Sequence, residues 1–159
     1  MGNAQCAMLN EWAMVKAIEH FVCIDMEQTK LTPSGKPFDI HERLQLFACD
    51  IVRLTQFLHT RGPIARRISY QILDTGTSVG SNAEEADGAS SHDDFIAKNR
   101  IALKEAKETR FRLRVCQRTG LLSPEFYPLV QESDELVKIL GKIVHNALRN
   151  AAAEGRHKR

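Results

Sequence analysis

The chain has 159 residues, enough for one domain with a substantial core, and its 43% apolar and 26% charged residues exclude wholesale disorder. A formal charge of +2 means that any anion-binding surface has to arise from local clustering. No apolar run is long enough to cross a bilayer, and the segment 12–24, interrupted by Lys16, Glu19 and His20, lacks a preceding basic stretch, so neither a membrane span nor a signal peptide is expected.

In chain order, an amphipathic helix is expected over 10–24. The stretch 29–37 (TKLTPSGKP) follows, with the Pro, Gly and Ser content of a linker. Residues 1–37 therefore read as an N-terminal extension and linker, 38–150 as a helical domain and 151–159 as a basic tail, frayed at its end. Met26 stands just before the break, which makes residues 1–25 an upstream extension, a reading that mass spectrometry of the native protein tests. The cysteines Cys6, Cys23, Cys49 and Cys116 form no CxxC pair and read as reduced, mostly buried small hydrophobes of a cytoplasmic protein.

The first bundle helix opens at Asp39, with Glu42 at capping-box spacing, and presents Leu44, Phe47, Ile51, Leu54 and Leu58 as one apolar stripe. Arg61-Gly62 ends it, and Pro63 suits the first position of the second helix, where its missing N–H costs nothing. There Ile68, Ile72, Thr75, Val79, Asn82 and Ala86 recur at spacings of three and four and form a seam. The third helix is expected over 93–119, capped by Ser91 with Asp94 and stopped by Gly120; its core stripe is Phe95, Ala102, Ala106, Thr109, Leu113 and Cys116. The fourth begins after Ser123, with Pro128 shifting its regular start, and buries Leu129, Val130, Ser133, Leu136, Val137, Leu140, Ile143 and Val144. Four long helices with short connections predict an all-α fold, an antiparallel up-down-up-down four-helix bundle with an N-terminal extension.

Gly76 and Gly80 each cost a helix about 1 kcal/mol relative to Ala, so something offsets them. With Ala83 they form a small-residue stripe suited to the close approach of another helix. The alternative, a phosphate-cradling loop, lacks both a GxxxxGK[ST] or GxGxxG motif and a preceding strand. Asn82, Glu85, Lys98 and Asn99 come opposite one another if the second and third helices form a hairpin. They then make either a register-setting polar network or a solvated flank.

The third helix also carries a basic face. Arg100, Lys104, Lys107, Arg114 and Arg118 share it, Arg110 lies at its edge, and Arg66 and Arg67 extend it with the basic tail. It reads as a backbone-directed, salt-sensitive surface for RNA or DNA. Phe111 is the one aromatic nearby, so single-strand stacking lacks a platform. The rival reading is a solvated face, or one that meets Glu125, Glu132 and Glu135 of a neighbouring protomer. No Glu-x-x-His pair, nucleophile motif or phosphate loop is present, so no enzyme, metal, cofactor or small-molecule substrate is expected; His92-Asp93-Asp94 is explained by the positive end of a helix dipole.

The run FDIHERLQLFACDIVRLTQFL, followed by ILDTGTSVGSNAEEADGASSHDDFIAKNRIALKEAKETRFRL, resembles the 23S rRNA intervening-sequence proteins over about 38–143. The combination of GTSVGxN with DFIxKxxIALKEAxET carries that resemblance. It implies a compact four-helix bundle that assembles into a homo-oligomer, a pentamer, with relatives encoded in rRNA intervening sequences and more distant ones acting as accessory factors of diversity-generating retroelements. It implies no defined biochemical role beyond a suspected binding of nucleic acid. The chain departs from the family pattern at Ala83 and Glu84, where Ile-Ala is more usual, and in its N-terminal extension.

Overall fold

The computed structural model describes Leu31, Thr32, Gly35 and residues 39–157, with side chains described to 153. The expected helix over 10–24 lies outside the described residues. The chain divides into two compact units, Met1–Ile40 and His41–Arg159. In the first, the Gly35 N–H donates to the Thr32 carbonyl at 2.8 Å, and Gly35 takes φ +76°, which favours glycine.

The second unit is built from four long helices, with no strand among its described residues. Helix α1 (Ile40–His59) buries all five residues of its predicted stripe and adds Thr55, whose hydroxyl donates to the Ile51 carbonyl at 2.8 Å and so enters the core satisfied. Gly62, at φ +103°, turns the chain into α2 (Pro63–Asp87), and Pro63 occupies the first turn as expected. The buried seam of α2 is Ala65, Ser69, Ile72, Thr75, Gly76, Val79, Ala83 and Ala86. Ile68 and Asn82, expected in that seam, lie half-buried on its flank. Ser69 takes the inward position because its hydroxyl is spent on the Arg66 carbonyl at 2.8 Å.

Helix α3 (His92–Arg118) starts at Ser91, whose side chain accepts the Asp94 N–H at 3.1 Å. The Asp94 carboxylate accepts in turn from the Ser90 N–H at 3.2 Å, one residue earlier than a capping box would place it. At the other end Gly120 stands at φ +71°, with its N–H donating to the Gln117 carbonyl and Leu121 N–H donating to the Cys116 carbonyl, the paired bonds of a Schellman stop. Among the predicted core positions only Phe95 is half-buried; Ile96 and Asn99 join the core instead. A short 3₁₀ turn (Pro124–Phe126) leads into α4 (Tyr127–His157), where every predicted stripe residue is buried except the half-buried Ile143. Helical backbone continues past 150 into the stretch expected to be tail.

Neighbouring helices are registered by specific pairs. Ile51 of α1 lies against Gly76 of α2, and Leu44 against Gly80. Thr75 and Thr109 hydroxyls sit 2.9 Å apart in the interior between α2 and α3, and Glu85 pairs with Lys98 further along the same two helices. His92 Nε2 lies 3.0 Å from the Ala147 carbonyl, and Arg114 reaches Asp134, tying the two ends of α3 to α4. No buried side-chain nitrogen or oxygen among the described residues lacks a hydrogen-bond partner. Cys116 is fully buried, which pushes its thiol pKa up, whereas Cys49 is exposed rather than part of the core.

Candidate nucleic-acid interface

A helix repeats about every 3.6 residues, so positions 100, 104, 107, 111, 114 and 118 of α3 rise in a single stripe. The structure exposes the cationic members of that stripe: Arg100, Lys104, Lys107, Arg114 and Arg118 all face solvent, and Arg110 is half-buried at the edge. The stripe is exposed because the buried positions Asn99, Ala102, Ala106, Thr109, Leu113 and Cys116 turn the opposite side of α3 towards α2 and α4.

The cations differ in how firmly they are held. Asp134 of α4 takes Arg114 at 2.6 Å and stands 3.8 Å from Arg110, so these two are partly neutralised from within the chain. Lys104 remains 69% exposed, with Glu105 and Glu108 only at 3.8 and 3.7 Å. Such solvated pairs contribute little and leave the ammonium available. Among the described residues Arg67, Arg100, Lys107 and Arg118 form no ion pair. Arg66 donates through Nε to the His59 carbonyl at 3.3 Å, which fixes its stem at the α1–α2 turn while its side chain stays exposed.

Two of the acids proposed as partners for this face from a neighbouring protomer are engaged elsewhere. Glu132 and Glu135 of α4 both bind Arg43 of α1, whose side chain is only 11% exposed; Nη2 lies 3.0 Å from Glu132 Oε2, with closer contacts from Nε to Glu132 and from Nη2 to Glu135. The hydrogen bond to Glu132 raises the Arg43 pKa above its ordinary value, against the opposing effect of burial. Sequence gives no hint of this cluster, since Arg43 adjoins the apolar stripe of α1 and its partners lie about ninety residues away. Nor does it reveal His41, whose two ring nitrogens face Glu84 at 3.1 Å and Asp87 at 3.0 Å near the end of α2.

The four residues expected as a polar network separate into parts. Glu85 and Lys98 form an ion pair near the surface, and that hydrogen bond, foremost, raises the Lys98 pKa. Asn82 donates to the Ser78 carbonyl at 2.8 Å and the buried Asn99 to the Phe95 carbonyl at 3.0 Å, each within its own helix. These main-chain bonds let Asn99 enter the core without a partner on α2.

Beside the cationic stripe lies an open groove of about 580 Å³ between α2 and α3, lined by Ile68 and Gln71 on one side and Lys107, Glu108, Phe111, Arg112 and Val115 on the other. Phe111 is 68% exposed there and occupies the middle of the stripe, between Lys107 and Arg114. Its position is visible in the helical spacing, but the groove is not, because its other wall comes from a different helix. No helix of the described residues is long and apolar enough to cross a membrane, and no group of three or more His, Cys, Asp or Glu among them is placed to hold a metal ion.

A sequence model of the 23S rRNA-intervening sequence protein matches residues 36–142. The fold is similar to a crystal structure of a protein with unknown function from the S23 ribosomal protein family of Bacteroides thetaiotaomicron VPI-5482. The two are 38% identical with a TM-score of 0.61, over 67% of this chain and 98% of that one. No curated protein matches the chain. The match spans α1, α2, α3 and the first half of α4, the same helices that build and support the cationic face. The chain therefore belongs to the 23S rRNA-intervening sequence protein family.

Proposed function

We propose that the protein is a non-enzymatic, homo-oligomeric helical bundle that binds structured RNA through the cationic face of α3. The observation that carries this reading is the row of exposed cations Arg100, Lys104, Lys107 and Arg118, of which three form no ion pair among the described residues. Arg100, Lys104 and Lys107 follow at one-turn spacing, about 5–6 Å apart along a rigid helix, with Arg118 about three turns further on, and cations so placed can pair with successive phosphates and release counterions on binding. Arg66 and Arg67, exposed at the start of α2, are further cations that a bound RNA could reach, while Arg110 and Arg114 contribute less because Asp134 competes for them. Binding of this kind reads backbone and shape, not sequence.

Titration of the protein against a structured RNA and a duplex DNA over a salt series tests the reading. Affinity is expected to fall with salt, and reversing charge at Lys104 and Lys107 is expected to weaken binding and to flatten the salt slope by about 1 per lost phosphate contact. No binding at low salt, or binding indifferent to both reversals, overturns it.

A second reading, an oligomeric scaffold whose α3 face is covered by protein, draws support from the exposed Ile101 and Phe111 on the same helix. Light scattering decides whether the protein associates at all, and charge reversal that alters mass without altering RNA binding favours the scaffold.

A further inference from the structure

We propose that the groove between α2 and α3 is a nucleobase pocket, in which an unpaired base of a bound strand stacks on Phe111. This inference rests on the cationic face of α3 as a nucleic-acid surface and adds to it a preference for strands with unpaired bases.

Three observations place a base there. The Phe111 ring is 68% exposed, a large apolar area for a helix position otherwise given to cations. It sits between Lys107, one turn before it, and Arg118, two turns after it, with the Asp134-held Arg114 between, so a backbone running from Lys107 to Arg118 passes over the ring. The opposite wall is supplied by Ile68 and Gln71 of α2. The aliphatic Ile68 and Val115 offer apolar flanks, and the Gln71 amide has both a donor and an acceptor for a base edge.

The acidic residue in the groove does not oppose this arrangement. Glu108 is engaged by Arg112 at 3.3 Å, and Lys104 lies 3.7 Å from it, so its charge is offset where the strand would pass. The volume of about 580 Å³ lies within the usual range of ligand pockets and is open on its solvent side, as entry of a base still joined to its strand requires. A protein side chain could fill the same apolar walls, and only an acidic partner would also use the cations on both sides of Phe111. A strand uses both, through stacking and phosphate pairing together.

Full-length protein is titrated with a short single-stranded RNA, with the same RNA fully paired, and with the single strand carrying one fluorescent purine analogue. Phe111→Ala is expected to weaken single-strand binding about 5- to 150-fold, to leave duplex binding and the salt slope unchanged, and to abolish quenching of the analogue. Phe111→Trp is expected to restore both affinity and quenching. Since Phe111 is largely solvent-exposed, neither variant disturbs the core. If Phe111→Ala binds the single strand like the wild type, the pocket is overturned while charge reversal at Lys107 still tests the cationic face. A change of oligomeric mass in Phe111→Ala, with single-strand binding intact, assigns the groove to a second copy of the chain and also overturns the pocket. If the wild type binds none of the probes at low salt, the proposed function fails as well.

Discussion

A Cβ added to Gly76 would stand 2.8 Å from both Cγ1 and Cγ2 of Ile51, closer than side-chain atoms pack. The absence of a side chain at 76 is what lets α1 settle onto α2 with the fully buried Ile51 pointing into it. Gly80, one turn on, is different: a Cβ there would meet Leu44 at an ordinary 3.8 Å. Gly76→Ala is therefore expected to destabilise the fold by about 1–2 kcal/mol, the overpacking cost exceeding the gain in helix propensity. Gly80→Ala is expected to stabilise it by about 0.5–1 kcal/mol. Urea denaturation of the two variants gives the comparison, and equal signs would contradict it.

Arg43 joins α1 to α4 by binding the largely buried side chain of Glu132 and the half-exposed Glu135. Arg43→Met is expected to cost about 1–3 kcal/mol, because the half-buried Glu132 carboxylate loses its main charge-assisted bonds. Adding Glu132→Gln in the Arg43→Met background should recover part of that loss, since the carboxylate charge that Arg43 offset is then gone. A double-mutant cycle by thermal or urea unfolding measures the coupling.

Asp134 holds Arg114 at 2.6 Å and approaches Arg110, drawing two cations away from the exposed face of α3. Asp134→Asn is expected to tighten RNA binding and to steepen the logarithmic salt dependence by up to about 2, one for each arginine released to a phosphate. A salt series on the variant checks it, and a weaker or unchanged slope counts against the proposed surface.

Lys98 has a raised pKa because its ammonium donates to Glu85 and feels that carboxylate's charge. The folded chain therefore holds this proton more tightly than the unfolded chain. The stabilisation it provides is complete below the ordinary lysine value of 10.5 and is lost as pH rises through the raised one. The stability gap between wild type and Lys98→Gln is expected to narrow above that ordinary value, and unfolding curves across alkaline pH measure it. An undiminished gap there would mean that the pair contributes through packing of the lysine stem instead.

By itself the sequence determined the helices and most of what each turns inward. The stripe from Leu44 to Leu58, Pro63 in the first turn of α2, the Ser91 cap and the Gly120 stop follow from spacing and local backbone chemistry, which act within a few residues. The basic stripe of α3 was equally legible, since a helix fixes which side chains share a face. Tertiary structure decided what those faces meet. Ser69 and Ala83, not Ile68 and Asn82, enter the seam, and Glu132 and Glu135 turn to Arg43 instead of standing free for another protomer. Asn82 and Asn99 bond to their own helices, Asp134 claims Arg114, and Ile68 and Gln71 complete a groove beside Phe111. Each of these outcomes depends on how helices far apart in the chain rotate and cross. Periodicity along one helix carries no information about that rotation, which contacts between helices set, as where the absence of a side chain at Gly76 lets Ile51 of α1 close onto α2.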